Sequence, residues 1–192
     1  MNAITKTAII TGGGSGIGRA AAIALSDAYN LVLVGRRIET LQATAEEMSS
    51  TISSTLLVPA DLSNPDAIGE VFRQTQDQFG RLDVLFNNAG VSVGGAAWEN
   101  TVDDWEWVMG VNLYGVVWGV KTFTPMMIAQ GEGHIVNTAS AAGWVNGPNM
   151  SVYNVTKHSV VALSETLALD LRDAGANVGV TCLCPAFFPT GI

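Results

Sequence analysis

Tyr153-Asn154-Val155-Thr156-Lys157 sets a phenol and an ammonium four residues apart, on one face of any helix that starts near Ser151. A phenol is a poor proton donor or acceptor near neutral pH until a positive charge stabilises its phenolate, and Lys157 supplies that charge. Ser140 follows the apolar run His134–Ala139, so its hydroxyl can reach the same place and donate to a carbonyl oxygen. Asn112, an amide inside an apolar helical stretch, requires a partner or a water. Together these groups suit proton transfer at a carbon–oxygen centre.

A second group of residues suits an anion. Thr11-Gly12-Gly13-Gly14-Ser15-Gly16-Ile17-Gly18-Arg19 leads from an apolar run into a stretch of small helical residues. Such a turn lets backbone N–H groups come close to phosphate oxygens, and a helix N-terminus adds about half a positive charge. Gly12, Ser15, Gly16, Ile17 and Gly18 are therefore candidates to hold a pyrophosphate. Gly35-Arg36-Arg37 ends the next apolar run, where an NAD-selective site carries an acid for the ribose 2′-hydroxyl. Two guanidiniums there suit a 2′-phosphate instead, which points to NADP(H), with NAD(H) as the lesser option.

The elements that must position these groups alternate. Strands are expected at Thr7–Thr11, Leu31–Gly35, Thr55–Pro59, Asp83–Asn87, His134–Ala139 and Val178–Cys184. Helical spacing runs over Ile17–Ala28, Glu39–Ser50, Pro65–Phe79, about Val102 to Ala129, and Ser151–Asp173. Strands so uniformly apolar fit a parallel sheet covered on both faces. Asn64-Pro65 reads as a cap and a first helical turn, Gly80 and Gly175 as helix stops, and Ser49–Thr55 as a short loop.

The Gly12-x3-Gly16-x-Gly18 spacing, Asn87-Asn-Ala-Gly90, Asn112, Ser140 and Tyr153-x3-Lys157 resemble, in order and placement, the compact single-domain branch of the short-chain dehydrogenase/reductase family. The extended branch, with its nucleotide-sugar epimerases, has a Gly-x-x-Gly-x-x-Gly spacing instead. The resemblance implies a Rossmann-type doubly wound parallel sheet of six strands, flanked by helices on both faces. Residues 1–192 would form one NAD(P)-binding domain that lacks the family's last helix and strand. It assigns Asp61 and Leu62 to the adenine ring, and Asn88, Ala89 and Gly90 to close approach of the cofactor. Pro185 and Thr190 would meet the nicotinamide, with Ala186 where the family carries Gly. Asn112 would hold a water in a proton relay from Lys157.

The implied reaction is hydride transfer between nicotinamide and a ketone or secondary alcohol, with Tyr153 as acid and base. A catalytically silent nucleotide-binding or assembly module is the alternative. The resemblance also implies a homodimer. Its contacts would be Trp118, Val120 and Phe123 on one helix and Val160, Val161, Leu163, Leu167 and Leu171 on another. A tetramer through the absent strand is not expected. Trp98, Trp144 and Met150 suggest an apolar mouth for the substrate, and Val91–Asn100, Ala141–Met150 and the Phe187-Phe188 pair are the segments left to set its identity.

Composition narrows the rest. With 48% hydrophobic residues in 192, the chain can bury a substantial core. Its net charge of -8 is the wrong sign for nucleic acid. The N-terminal stretch has no secretory apolar segment and Val108–Val120 is too short for a bilayer span, so a cytoplasmic protein without membrane contact is expected. His134 and His158 stand alone, and no metal site is expected. Cys182 and Cys184 are expected to be ordinary buried thiols whose sulfurs point to opposite faces of their strand, unable to bridge or share a metal.

Overall fold

In the computed structural model, which describes residues 5–48 and 54–186, six parallel strands form one sheet. They are Lys6–Thr11 (β1), Tyr29–Gly35 (β2), Thr55–Pro59 (β3), Val84–Asn87 (β4), Gly133–Thr138 (β5) and Val178–Leu183 (β6). Their order is β3-β2-β1-β4-β5-β6. Gly16–Leu25 (α1), Ile38–Glu47 (α2), Pro65–Phe79 (α3), Val102–Met109 (α4), Gly115–Gln130 (α5) and Ser151–Asp173 (α6) supply the helices. This is the Rossmann-type doubly wound sheet, whose order reverses between β1 and β4 and opens a crevice at the carboxyl ends of those strands.

Alternation along each strand divides the core in two. Ile9, Val32, Val34, Leu85 and Ile135 pack with Ile68, Val71, Phe123, Val160 and Leu167 on the α3, α5 and α6 side. Ala8, Ile10, Leu31 and Leu33 face Ala22 and Leu41 of α1 and α2. Each large side chain removed from water contributes about 1.5–3 kcal/mol, and both faces of the central strands β1 and β2 are covered. Local chemistry sets the helix ends. Asn64 accepts from the Asp66 N–H ahead of Pro65, Gly80 ends α3 at φ 67°, and Thr101 with Asp104 closes a capping box before α4.

Several polar groups inside this frame are paired. Asp83, just before β4, is buried and accepts from Thr7 N at 2.8 Å and from Arg81. Burial pushes its carboxyl up, but the bonds from Arg81 and Thr7 prevail and hold it below the usual carboxylate range. Asn87, Asn137 and Cys182 occupy matching positions on β4, β5 and β6. Asn87 donates to Asn137 at 2.9 Å, Asn137 donates to Ser164 of α6 at 3.0 Å, and Ser164 donates to the Val160 carbonyl at 2.7 Å.

Three expectations change. The helical stretch from Val102 is not continuous, because a π-helical turn at Gly110–Tyr114 separates α4 from α5. Asn112 lies inside that widened turn and is fully buried. The cysteine sulfurs do not point to opposite faces: residues two apart on a strand share a face, and the two Sγ atoms lie 3.7 Å apart. Of the expected dimer contacts, Val120, Phe123, Val160, Val161, Leu167 and Leu171 are buried in the chain's own core, since those faces of α5 and α6 pack on the sheet. Most of the Ser49–Thr55 loop, Phe187-Phe188 and Thr190 lie outside the described residues.

Candidate active site

The crevice begins at the glycine turn. Gly12 (φ 67°) and Gly16 (φ 50°) adopt left-handed backbone, which a side chain disfavours. Gly18 packs so closely that a Cβ there would collide with the Gly12 carbonyl oxygen, so α1 seats directly on the turn. Across the switch point Thr11 Oγ1 accepts from Asn88 N at 2.8 Å and Ala89 N at 3.0 Å. Asn88 Nδ2 returns a bond to the Thr11 carbonyl at 3.0 Å. The ends of β1 and β4 are thus fastened together, and Ala89 and Gly90 present a bare backbone to the crevice.

Two connected hollows follow. One of about 170 Å³ is lined by Gly35, Arg36, Arg37, Thr40, Asp61 and Leu62. Asp61 is held by bonds from Ser63 N at 3.0 Å and Ser63 Oγ at 2.8 Å. Arg36 and Arg37 are exposed and have no carboxylate partner among the described residues, whereas Arg19, Arg73, Arg81 and Arg172 each have one. The other hollow, of about 460 Å³, shares Gly12, Ser15 and the two arginines and extends to Ser140, Tyr153, Lys157 and Pro185. Gly16, Ile17, Asn88, Ala89 and Gly90 also line it. A floor without side chains, a helix N-terminus and two unpaired guanidiniums fit an extended dinucleotide.

At the far end α6 delivers Tyr153 from its first turn and Lys157 one turn later, with Nζ 5.5 Å from the phenol ring centroid. Lys157 Nζ donates to the Thr138 carbonyl at 2.8 Å. Burial pulls its ammonium down from the ordinary 10.5 to about 8, against the opposing influence of Cys182 and Cys184. Ser140 Oγ accepts from Ala142 N at 3.1 Å and donates to the Pro185 carbonyl at 3.5 Å, so the end of β6 holds this hydroxyl. Ala186 is not among the residues with positive φ, so alanine is accommodated there.

Asn112 is placed differently from the expectation. Its Oδ1 accepts from Val91 N at 2.8 Å, and its Nδ2 donates to the Val91 carbonyl at 2.8 Å and to Thr156 Oγ1 at 3.3 Å. Both amide hydrogens are therefore committed to protein. The side chain ties the loop after β4 to α6 and does not line the hollow.

Some of the site has no plain signal in the sequence. Gly95 pairs with Met150 as an isolated bridge, and its N–H donates to Asn149 O at 3.1 Å. Asn149 is the one described non-glycine residue at positive φ, 60°. Asn100 Nδ2 donates to Gly94 O at 3.2 Å while its Oδ1 accepts from Ser151 Oγ at 3.1 Å. These contacts fasten the loop after β4 to the start of α6, two residues ahead of Tyr153. Only Gly147-Pro148-Asn149, a turn-forming run, hints at them. Trp98 and Trp144 are exposed, and Met150 lines the larger hollow. Among the described residues no cluster of three metal-binding side chains is present, and no helix is long and apolar enough to cross a membrane.

Known proteins share this fold. The family model described as short chain dehydrogenase matches residues 6–192. A CLA biosynthesis dehydrogenase/reductase of Lactiplantibacillus plantarum is 33% identical over 189 residues, covering 97% of this chain and 66% of that protein. A short-chain dehydrogenase/reductase from Burkholderia phymatum, solved in complex with NAD, superposes with a TM-score of 0.94 at 46% identity, over 97% of this chain and 67% of that one. An alcohol dehydrogenase from the archaeon Thermococcus sibiricus, complexed with 5-hydroxy-NADP, gives 0.87 at 29% identity, over 94% of this chain and 76% of that one. The chain thus spans 66% of the length of the first of these relatives. With the match running from β1 through β6, the chain belongs to the short-chain dehydrogenase family of oxidoreductases.

Proposed function

We propose that residues 1–192 act as one NAD(P)-binding domain that reduces a ketone or oxidises a secondary alcohol, with NADP(H) preferred. The observation that carries this reading is the single cleft in which Tyr153, Lys157 and Ser140 adjoin the glycine turn and the arginine pair. When bound, the nicotinamide cofactor supplies or takes the hydride. Backbone N–H groups of the Gly12–Gly18 turn and the N-terminus of α1 bind its pyrophosphate. Arg36 and Arg37 pair with the 2′-phosphate. Asp61 and Leu62 flank the adenine side, and Pro185, with Thr190 beyond the described residues, the nicotinamide side.

In reduction Tyr153 gives its phenol proton to the substrate oxygen, and in oxidation it takes that proton back. The Lys157 ammonium, held by the Thr138 carbonyl, stands beside the phenolate so formed. Ser140 Oγ donates to the same substrate oxygen. Asn112 is a positioning residue: its bonds to Val91 and Thr156 set the loop that faces Lys157. The Burkholderia phymatum protein was solved with NAD, which supports NAD(H) as a second cofactor. A homodimer through the outward faces of α5 and α6 completes the proposal.

The test is NADPH consumption against a panel of ketones. Tyr153→Phe should lower turnover by about 10²–10⁴-fold while cofactor still binds. Cofactor binding without turnover, unaltered by the substitution, would instead support a silent nucleotide-binding module.

A further inference from the structure

Two thiols meet where β6 runs into the cleft, and the hydride chemistry above uses neither. Cys182 lies in β6 and Cys184 just past its end, with their sulfurs 3.7 Å apart. They are the two cysteines of the chain, and both are half-buried. The Trp144 indole N–H donates to Cys184 Sγ at 3.3 Å, and Trp144 is 60% exposed, so Cys184 sits directly behind a solvent-facing residue. The residue after Cys184 is Pro185, whose carbonyl accepts from Ala141 N at 2.8 Å and from Ser140 Oγ at 3.5 Å.

We propose that Cys182 and Cys184 form a redox-active dithiol, oxidised by a peroxide to an intramolecular disulfide that displaces Pro185 and with it Ser140. The thiolate of Cys184 attacks a peroxide oxygen, breaks the O–O bond and becomes a sulfenic acid as hydroxide, or alkoxide from an organic peroxide, departs. The Cys182 sulfur then attacks the sulfenic sulfur, the S–S bond forms, and the sulfenic oxygen leaves as water with the Cys182 proton. Two thiols lose two electrons and two protons, and the peroxide is reduced to two waters or to water and an alcohol. A thiol reductant reverses the step by exchange.

The two sulfurs divide these roles by their surroundings. Burial, and next its contact with Cys184, pushes the Cys182 thiol up to about 11, which suits the resolving partner rather than the first nucleophile. Closure requires the sulfurs to approach from 3.7 Å to the roughly 2.0 Å of an S–S bond. Residues two apart on an extended strand lie about 6.6 Å apart at Cα, at the upper end of the roughly 4.4–6.8 Å that bridged pairs span, so closure draws the backbone together. Leu183 is held, its carbonyl accepting from Ala139 N at 2.8 Å. The movement therefore falls on Cys184 and Pro185, whose carbonyl anchors Ser140 and Ala141.

The thiol chemistry stands apart from the proposed function, whereas its effect on turnover rests on that reading. The reduced chain is treated with hydrogen peroxide, denatured and alkylated, and its intact mass is measured beside ketone reduction and NADPH binding. The expected product is about 2 Da lighter, resists alkylation at both cysteines, turns over at least tenfold more slowly, and recovers with dithiothreitol. Cys184→Ser and Cys184→Ala should keep their own basal turnover through the same treatment. Overoxidation without loss of 2 Da, cross-linking between chains, or a disulfide that leaves turnover and NADPH binding unchanged would each overturn the proposal. A chain that reduces no ketone is still judged, by mass and by NADPH binding.

Discussion

Arg36 and Arg37 show how a single residue's company carries information. In a chain with nine basic residues and seventeen acids, an arginine without an acid beside it is uncommon. These two face the smaller hollow together with Thr40 and Asp61. One charge-assisted hydrogen bond contributes about 1.5–3 kcal/mol, so Arg36→Asp should shift the NADP-to-NAD preference by about 10- to 100-fold toward NAD. Dissociation constants for both cofactors check this, and equal affinities in the unaltered chain would refute the phosphate role. Residues whose chemistry depends on near neighbours in sequence were legible: Tyr153 and Lys157 one helical turn apart, and the glycine turn. Asn112 was legible as a buried amide, but its partner Val91 is 21 residues away, a pairing that spacing cannot reveal. The cysteine pair was misread at the level of strand geometry alone.

At the scale of elements, all six strands appear where apolar runs end in turn-forming residues, and α3 and α6 keep their expected bounds. The π-helical turn was not legible, because the apolar pattern continues through it. The division of α5 and α6 into inner and outer faces was also misjudged, since a long apolar helix in a doubly wound fold spends most of that surface on its own sheet. What remains outward is specific. Tyr114 stacks on Trp118 at 5.9 Å with Lys121 over the indole, and Val155 and Leu169 of α6 are exposed. If these faces pair about a two-fold axis, light scattering at micromolar concentration should give twice the chain mass, and Trp118→Asp should give the single mass. A monomer before substitution would reject the dimer.

For the whole molecule, stability against pH follows from the buried charges. The Asp83 carboxyl is held below its usual range, so its contribution is present at neutral pH and is lost as pH falls through that lowered value. Lys157 acts in the same sense, at higher pH. Its ammonium titrates near 8 when folded and near 10.5 when unfolded, so between those values the unfolded chain holds the extra proton and folding gains stability as pH rises. The gain is about 3 kcal/mol at most, by the size of the shift. Cys182, raised to about 11, works against it above pH 9, so the comparison must be with Lys157→Met. Urea unfolding at pH 7 and pH 10 should show the two chains diverging in favour of the unaltered one, and parallel behaviour would contradict the burial of a charged lysine. The row Asn87–Asn137–Ser164 has a consequence of another kind. Adjacent parallel strands this apolar can slide past one another at little loss of greasy contact, yet a one-step slip of β5 would turn Asn137 away and strand the Asn87 and Ser164 groups in a dry interior. The amides thus work as a proofreading key, admitting one alignment of the strands that carry Ser140 and reject its misthreaded neighbours.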